Sequence, residues 1–386
     1  MIVVRVLMLN YEYPPLGGGA ANATRYLLRE FSERPELTVD LVTSSPGGYR
    51  EESPSATVDR YRLDVSKRDR HYWRQSEIAR YAWKAYRKCR ELEATREYDL
   101  VHAWFGVPSG VVARLLEPPA LVALRGSDVP GYNDRFAAQY VLLKPLIRRV
   151  WRDAAAVVAN SRGLRELALE TADVPIDVIP NGVAVEEFEP VYHERDRLRV
   201  LCVSRLIARK GLGALVDAVA ELAARGGLDV ELTIVGEGEL AGSLRTRAER
   251  RGVADRVTFA GYVPHDEIHR YYEAADVFAL PSHNEGMSNT ILEAMAAGLP
   301  IVTSDTGGTA ELLGDNGIVV RAGDPTSIAT ALETYAADRD LLGRHGRESR
   351  SIAEEMSWTA VADRYLETYD EICDGRKRSR ESLARP

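Results

Sequence analysis

Hydrophobic and polar positions form blocks along the whole chain. Short, continuous apolar runs are separated by longer stretches in which apolar residues recur every three or four positions. Because a strand that is covered on both faces is apolar at nearly every position, such runs predict parallel strands packed between helices. The predicted strands are Val3–Asn10, Val39–Thr43, Leu100–His102, Leu121–Leu124, Ala156–Ala159, Asp177–Ile179, Arg199–Val203, Glu231–Val235, Val257–Phe259, Val277–Leu280, Ile301–Thr303 and Ile318–Val320.

The helical stretches lie between these runs, for example at Ala20–Glu33 and Ile78–Glu93. The alternation pauses at residues 180–198, which are rich in proline and charge. Since 386 residues exceed what one ordinary core contains, we expect two domains. The pattern predicts an α/β protein with two doubly wound parallel sheets in tandem, which we divide at 1–180 and 181–360. Ligands of such sheets bind at the carboxyl ends of the strands, and these ends are expected to face a cleft between the domains.

Composition narrows the class of protein only slightly. The chain has 50 basic and 58 acidic residues, for a net charge of −8. Its three cysteines are scattered and none falls in a metal-ligand spacing, so we expect neither a disulfide framework nor a bound metal. The apolar start, MIVVRVLMLN, runs directly into a turn and is interpreted as a first strand, and no run is long enough to span a bilayer. We therefore expect a cytoplasmic protein.

Two polar motifs follow predicted strands. In SRLIARKG, Arg205 and Lys210 would emerge where a strand ends, and an Arg fork with a Lys point charge suits a diphosphate. The alternative is a pair of solvated surface cations. In YEYPPLGGGAAN, three consecutive glycines, Gly17–Gly19, allow close backbone approach to an anion, or they simply form a tight turn. The absence of a G-x-G-x-x-G motif argues against a nicotinamide dehydrogenase.

Two acids, Glu285 and Glu293, flank a small polar run in NEGMSNTILEAMAAG. They are interpreted as a catalytic pair, as two separate hydroxyl-binding groups, or as helix capping, in which Thr290 and Glu293 form a capping box. Eight residues at helical rise place the acids up to about 12 Å apart, whereas glycosidase carboxylates lie about 5 to 9.5 Å apart. The longer span matches a nucleotide sugar lying lengthwise, with its diphosphate on the helix N-terminus at residues 288–290.

These motifs together resemble the family-4 retaining glycosyltransferases. The resemblance is carried by SRLIARKG, VGEGEL, VTFAGYV and ADVFALPSHNEGMSNTILEAMAAGLPIVTSDTGGTAELL, and in the first half by YEYPPLGGG, YDLVHAWFGVPSG and VIPNGV. It implies the GT-B fold: a Rossmann-like acceptor domain, a Rossmann-like nucleotide-sugar domain, and a C-terminal helix with a basic tail at 361–386 that returns to the first domain.

The resemblance also implies roles for individual residues. Arg205 and Lys210 would bind the donor diphosphate, Glu285 would orient the transferred sugar, and Glu293 would bind the ribose hydroxyls. Backbone groups of the donor site would come from Gly261, Met287, Ser288, Asn289 and Thr290. Gly18, Gly19 and His102 would belong to the acceptor and phosphate loop. The family's chemistry uses neither a bound metal nor a cofactor, because the leaving diphosphate is thought to take the acceptor's proton on the donor's front face.

The sequence departs from the family pattern at two places. A His-Gly pair is common at the end of one first-domain strand, but here Arg125 precedes Gly126. Ala20 and Ala21 stand where an acid often follows the glycines. Because an arginine only donates and keeps its charge, we expect Arg125 to bind an anionic group on the sugar or the acceptor, or else to form an ion pair with Asp128.

Residues 60–90 carry 11 Lys or Arg and 3 Asp or Glu, next to several aromatic residues. They are interpreted as a surface for anionic lipid or a lipid-linked acceptor, which would make the protein peripheral at the inner membrane face, or as an ordinary solvated helix face. No nucleic-acid motif accompanies the charge. We predict a retaining, metal-independent glycosyltransferase of glycoconjugate, glycolipid or surface-polysaccharide synthesis, with a UDP-sugar favoured as donor. The alternatives are a sugar-nucleotide epimerase of the same fold and a non-catalytic nucleotide-sugar-binding protein.

Overall fold

The chain divides between Asn181 and Gly182, inside the stretch that is rich in proline and charge. The first unit is Met1–Asn181 with Trp358–Pro386, and the second is Gly182–Ser357. The structure is a computed structural model that describes residues 3–67, 69, 72–132, 137–191, 197–226, 228–284 and 287–383.

The first unit is built on an eight-stranded sheet with the order β3-β4-β2-β1-β5-β6-β7-β8. Its strands are β1 (Val4–Leu9), β2 (Leu37–Ser45), β3 (Arg50–Glu52), β4 (Val58–Asp64), β5 (Leu100–Trp104), β6 (Ala120–Leu124), β7 (Ala156–Ala159) and β8 (Asp177–Val178). Its helices are α1 (Gly19–Ser32), α2 (Gln75–Glu93), α3 (Val111–Ala113), α4 (Ala137–Asp153) and α5 (Arg162–Leu169). Strand β3 runs antiparallel to β4, and the other described pairings are parallel.

The second unit is built on a six-stranded parallel sheet with the order β11-β10-β9-β12-β13-β14. Its strands are β9 (Leu198–Val203), β10 (Val230–Val235), β11 (Val257–Gly261), β12 (Val277–Leu280), β13 (Ile301–Ser304) and β14 (Gly317–Val320). Its helices are α6 (Leu212–Arg225), α7 (Ala241–Arg250), α8 (His269–Ala274), α9 (Asn289–Ala296), α10 (Pro325–Ala337) and α11 (Arg339–Glu355).

The last helix, α12 (Trp358–Leu383), packs on α1 of the first unit. The rings of Tyr26 and Trp358 stack with their centroids 5.7 Å apart. An ion pair joins Arg34 and Asp363 at 2.6 Å. The C-terminal segment is therefore part of the first unit, although the whole second unit separates it in sequence from the rest of that unit.

All twelve predicted strands are present, but two further strands, β3 and β4, were not predicted. The sequence of β4, VDRYRLD, lacks a continuous apolar run because it lies next to the sheet edge. Tyr61 and Leu63 are buried in it, and so is Arg62, whose Nε donates to Glu52 of β3 at 3.0 Å. A charged residue that is neutralised by a neighbouring strand thus broke the pattern that identified the other strands.

Candidate active site

The second unit has a topological switch point between β9 and β12. These strands are neighbours in the sheet, and the chain continues from them toward opposite edges. The loop after β9 carries Arg205 and Lys210, and the segment after β12 leads to α9. Open α/β sheets bind ligands in the crevice that such a reversal creates beyond the carboxyl ends of the strands. The fold therefore brings the two predicted donor-binding segments to the same crevice.

The two segments are in direct contact. Gly211 follows Lys210 with φ = +68°, and a Cβ at Gly211 would lie 2.1 Å from the carbonyl oxygen of Pro281, so only glycine fits this position. The amide of His283 donates to the carbonyl of Arg209 at 2.8 Å. Lys210 itself is buried, with 7% of its surface exposed. The backbone thus fixes the position of the lysine relative to the start of the α9 segment.

Two further glycines hold the loop that carries Arg205. A Cβ at Gly236, where φ is +128°, would lie 2.0 Å from the carbonyl oxygen of Ser204. A Cβ at Gly238 would lie 2.4 Å from the carbonyl oxygen of Leu206, whose amide donates to Glu237 at 2.9 Å. Residues 236–238 therefore pack against the backbone on both sides of Arg205. The motif VGEGEL contributes to the family resemblance, but its role in holding this loop was not predicted from the sequence.

Helix α9 begins at Asn289, with Ser288 as its N-cap residue, and the Ser288 side chain accepts no capping hydrogen bond from the helix backbone. Met287 and Ser288 are 8% and 4% exposed, and the hydroxyls of Ser288 and Thr290 lie 3.2 Å apart. The first amides of a helix have no intrahelical acceptor, and helix N-termini favour the binding of anions. Glu285 lies outside the described residues, and its role remains a prediction.

Glu293 does not cap α9, so the capping-box alternative is wrong. Because the helix begins at Asn289, Glu293 lies in its second turn, where its carboxylate accepts a hydrogen bond from the Tyr272 hydroxyl at 2.7 Å. Burial raises the pKa of Glu293 to about 7, against the opposing effect of this hydrogen bond. Burial also raises the pKa of Tyr272 well above its usual value. A carboxylate whose pKa is raised by burial is a candidate ligand-binding group.

Gly261, the remaining donor-site residue, ends β11 with φ = +72°. Its carbonyl accepts a hydrogen bond from Gly236 at 2.8 Å, which links it to the glycine pair that holds the Arg205 loop. A Cβ at Gly261 would meet nothing within 4 Å, so its backbone conformation, rather than lack of space, favours glycine here.

The glycine turn of the first unit lies at the corresponding switch point, between β1 and β5. Gly18 precedes α1, and Gly19 is its first residue. A Cβ at Gly18 would meet nothing within 4 Å, so this side of the turn is open. The Glu12 carboxylate accepts a hydrogen bond from the Gly18 amide at 3.3 Å. A phosphate that approached this amide would therefore have to displace Glu12.

His102 is not part of a binding loop, which corrects the sequence prediction. It lies inside β5 and is 0% exposed. Its Nδ1 lies 2.7 Å from the Tyr369 hydroxyl of α12. Burial lowers the pKa of His102 to about 3, and nearby Arg125 acts in the same direction. His102 is therefore a neutral core residue beneath the C-terminal helix.

Arg125 follows β6 and binds neutral groups within the first unit. Its guanidinium lies 4.4 Å from the ring centre of Trp104 and donates to the side-chain oxygen of Asn181, the last residue before the division of the chain. The Asp128 carboxylate accepts hydrogen bonds from the amides of Gly106, Arg125 and Gly126. Burial lowers the pKa of Arg125. Asp128 therefore bonds to the backbone amide of Arg125. The Arg125 side chain donates to Asn181 instead of forming the expected ion pair with Asp128.

Many cations in the basic segment 60–90 have partners in the protein. Arg87 lies over the exposed ring of Trp83 at 5.0 Å. The other contacts are Arg60 and Arg62 with Glu52, Lys67 with Glu77, Arg80 with the carbonyl of Val65, Lys84 with the carbonyl of Asp64, and Lys88 with Glu51 and Glu91. Residues 68, 70 and 71 lie outside the described residues. Much of the positive charge in this segment therefore joins α2 to β3, β4 and the loop that follows β4.

The described ranges contain no cluster of three or more His, Cys, Asp or Glu side chains with metal-ligand geometry. Over the same ranges, no helix has both the length and the apolar character that crossing a membrane requires.

Two regions of this chain match known protein families. Residues 17–187 match the family described as Glycosyltransferase Family 4, and residues 197–338 match Glycosyl transferases group 1. The GDP-mannose-dependent alpha-(1-6)-phosphatidylinositol monomannoside mannosyltransferase of Mycolicibacterium smegmatis is 27% identical over 98% of this chain and 100% of its own. The protein of the same description from Mycobacterium tuberculosis is 32% identical over 69% of this chain and 74% of its own.

Solved structures agree with this fold. Sucrose-phosphate synthase from Thermosynechococcus elongatus superposes with a TM-score of 0.83 at 22% identity, over 96% of this chain and 100% of its own. WaaG, a glycosyltransferase involved in lipopolysaccharide biosynthesis, gives a TM-score of 0.69 at 16% identity, over 95% of this chain and 99% of its own. The fold and the two matched regions define a glycosyltransferase of the GT-B class. Specifically, the chain belongs to the group 1, family-4 glycosyltransferases.

Proposed function

We propose that this glycosyltransferase transfers a sugar from a nucleoside-diphosphate donor, with retention of anomeric configuration and without a bound metal, to a hydroxyl of a lipid-linked, anionic acceptor. The observation that carries the proposal is the meeting of the Arg205–Lys210 loop and the start of α9 at the β9–β12 switch point. In this assignment the second unit binds the donor and the first unit binds the acceptor.

In this proposal each part of the donor has a binding group in the crevice. Arg205 and Lys210 would neutralise the diphosphate, and the first amides of α9 would donate to its oxygens. Glu293 would accept hydrogen bonds from the two ribose hydroxyls, and Glu285 would orient the transferred sugar. The backbone of Gly261 would lie near the base end, since β11 is two strands away from β9.

The proposed reaction needs no protein base. The acceptor oxygen forms a bond to the anomeric carbon on the face from which the diphosphate departs, and the bond from that carbon to the phosphate oxygen breaks. The acceptor's proton passes to the departing diphosphate oxygen. Charge that develops on the diphosphate is stabilised by Arg205, Lys210 and the helix amides, which act most strongly as the bond breaks.

We propose GDP-mannose as the donor to test beside the UDP-sugar that the sequence favoured. Both mycobacterial proteins are described as GDP-mannose-dependent and as acting on a phosphatidylinositol mannoside. A lipopolysaccharide core glycosyltransferase of Rhizobium meliloti is 30% identical over 66% of this chain and 77% of its own. A lipid-linked acceptor with phosphate groups also suits the cationic Arg125, which lies after β6 at the same edge of the first sheet as the turn that contains Gly18 and Gly19.

A donor panel with a lipid acceptor tests the proposal. The full chain is incubated with GDP-mannose or UDP-glucose and a phosphoinositide-containing lipid extract, with and without EDTA. We expect a mannosylated lipid whose anomeric carbon–hydrogen coupling shows the donor's own configuration, at the same rate in EDTA. Inversion would contradict retention, and loss of activity in EDTA with rescue by Mg²⁺ would contradict metal independence. Conversion of the donor alone would favour the epimerase.

A further inference from the structure

Arg350 lies in the last turns of α11 and binds main-chain carbonyls of two other segments of the second unit. Its Nη1 lies 2.9 Å from the carbonyl oxygen of Phe188, 3.2 Å from that of Val185 and 2.5 Å from that of Ala296. Its Nε donates to the carboxylate of Glu354 at 2.8 Å. Because the donors of a guanidinium form a rigid planar fork, these bonds fix the two segments relative to each other.

The first of these segments is α9, the helix whose other end belongs to the proposed donor site. Ala296 is its last residue. The amides at 297–299 donate to other carbonyls of the helix, and the Ala296 carbonyl accepts from Arg350 instead. A cation also suits the negative end of the helix dipole. Since eight residues of helix are only about 12 Å long and move together, a shift at this end displaces the amides at the start.

The second segment is a single 3-10 turn, Val185–Glu187, with Phe188 directly after it. Phe188 is buried, and its ring meets the ring of Tyr272 edge-on with the centroids 5.5 Å apart. Tyr272 donates to the Glu293 carboxylate at 2.7 Å. Burial raises the pKa of Glu293, and the charge of Glu187 acts in the same direction. The turn therefore supports the side chain that holds the proposed ribose carboxylate.

A single side chain thus joins the helix that carries Glu293 to the turn that supports Tyr272. A ligand site works only when its groups are held within about 0.5 Å of the required geometry. The bond to Glu354 contributes little to this, because Glu354 is 58% exposed and such surface pairs are weak. The sequence does not show the link, since Arg350 lies 54 positions from Ala296 and 162 from Phe188.

We propose that Arg350 is a positioning residue of the donor site. By binding the carbonyls of Ala296, Val185 and Phe188, it keeps α9 and the 185–188 segment in the arrangement that the ribose and the diphosphate require. The inference rests on the proposed function, because it takes the β9–β12 crevice as the place where the nucleotide binds.

Titration calorimetry with GDP and UDP, on the full chain, tests the proposal. Arg350→Met keeps the length of the side chain and removes its donors, and Arg350→Lys keeps the charge and one donor group. Glu354→Gln is the first control, because it breaks the exposed ion pair and leaves the carbonyl contacts. Arg344→Met, at an exposed position of the same helix, is the second control. Thermal unfolding of each protein is measured without nucleotide.

We expect Arg350→Met to bind the nucleotide about 2- to 30-fold more weakly, the range for residues that act on a site through their neighbours. Arg350→Lys should lie between this variant and the wild type, and both controls should bind like the wild type. A lower unfolding temperature with unchanged nucleotide affinity would show a merely structural role and overturn the proposal.

Phe188→Leu tests the same link if Arg350→Met does not fold, because leucine preserves an apolar side chain but loses the ring contact with Tyr272. Combined with Arg350→Lys, it should weaken binding by less than the two single losses together, since both changes release the same turn. Fully additive losses would contradict the proposal. A wild type that binds neither GDP nor UDP overturns the proposed function as well. Binding that Arg205→Ala weakens and Arg350→Met leaves unchanged overturns this inference alone.

Discussion

Replacing Glu293 by glutamine should make the ligand-free protein more stable and weaken its binding of nucleotide. The carboxylate lies in the second turn of α9 and bonds to Tyr272, and burial raises its pKa from 4.5 to about 7. Glutamine keeps the size and an acceptor oxygen but has no proton to gain or lose. The substitution therefore separates the cost of a buried charge from the shape of the site.

The stability effect follows from the direction of the pKa shift. The folded state holds the carboxyl proton of Glu293 more tightly than the unfolded state does. The stability that this proton contributes is therefore complete below pH 4.5 and is lost as the pH rises through about 7. A difference of about 2.5 pH units corresponds to at most about 3 kcal/mol. At pH 8, Glu293→Gln should exceed the wild type in free energy of unfolding by up to about 3 kcal/mol, and the gap should close near pH 4.5.

The binding effect has the opposite sign. If the ionised carboxylate binds the ribose hydroxyls, about nine tenths of the protein is competent at pH 8 and about one tenth at pH 6, so affinity should fall roughly tenfold. The nucleotide's own phosphate titrates equally in both proteins, so the ratio of wild-type to Glu293→Gln affinity isolates the carboxylate. Calorimetric titration with GDP and UDP from pH 6 to pH 8 measures this ratio, and thermal unfolding without nucleotide measures stability.

Two tyrosine variants complete the test. Tyr272→Phe removes a hydrogen bond that lowers the pKa of Glu293, so the midpoint of the affinity change should move to higher pH. Tyr271→Phe, at the adjacent and only partly buried position, is the matched control and should leave the midpoint unchanged. A Glu293→Gln protein that is about 1 kcal/mol less stable at every pH, with unchanged nucleotide affinity, would show that Glu293 behaves as an ordinary helix-end residue and binds no ribose.

Two further predictions concern other residues. Gly236→Ala should displace the Arg205 loop, because its Cβ would lie 2.0 Å from the carbonyl oxygen of Ser204, and both nucleotide affinity and unfolding temperature should fall. The control is Gly242→Ala in α7, where a Cβ would meet nothing within 4 Å, and it should preserve both quantities. An unchanged Gly236→Ala protein would contradict the packing of this loop. Arg125→Lys should lower kcat/KM for a phosphate-bearing acceptor only, by an amount that corresponds to about 2 to 5 kcal/mol of transition-state stabilisation. Equal losses on charged and neutral acceptors would show that Arg125 acts through Trp104 and Asn181 as a structural residue.

The sequence predicted the strands that consist of continuous apolar runs, because such a run is typical of a strand that is covered by helices. It did not predict Val58–Asp64, because Arg62 is neutralised by Glu52 from another strand, and the apolar pattern does not show such a partner. Both glycosyltransferase domains and the segments of the donor site were accessible as motifs at strand ends. Only the sheet order shows that the motifs after β9 and β12 meet at one crevice.

His102 illustrates why the remaining site residues were harder to predict. A histidine at the end of an apolar run resembles a residue at a ligand site, but its partner is Tyr369, which is 267 positions away in sequence. The same distance problem hides the link between Arg125 and Asn181, and the role of Tyr272 beside Glu293. Local spacing identifies candidates for chemistry, whereas long-range contacts decide which of them are committed to the core.

The central claim is that the β9–β12 crevice binds the diphosphate of the donor through Arg205 and Lys210. Titration calorimetry with a nucleoside diphosphate and with its nucleoside, on the wild type, Arg205→Ala and Lys210→Ala, tests this claim most directly. We predict that each variant binds the diphosphate about 10- to 100-fold more weakly, the loss expected for one hydrogen bond to a charged group, and binds the nucleoside like the wild type. Unchanged diphosphate affinity, or an equal loss for the nucleoside, would contradict the account.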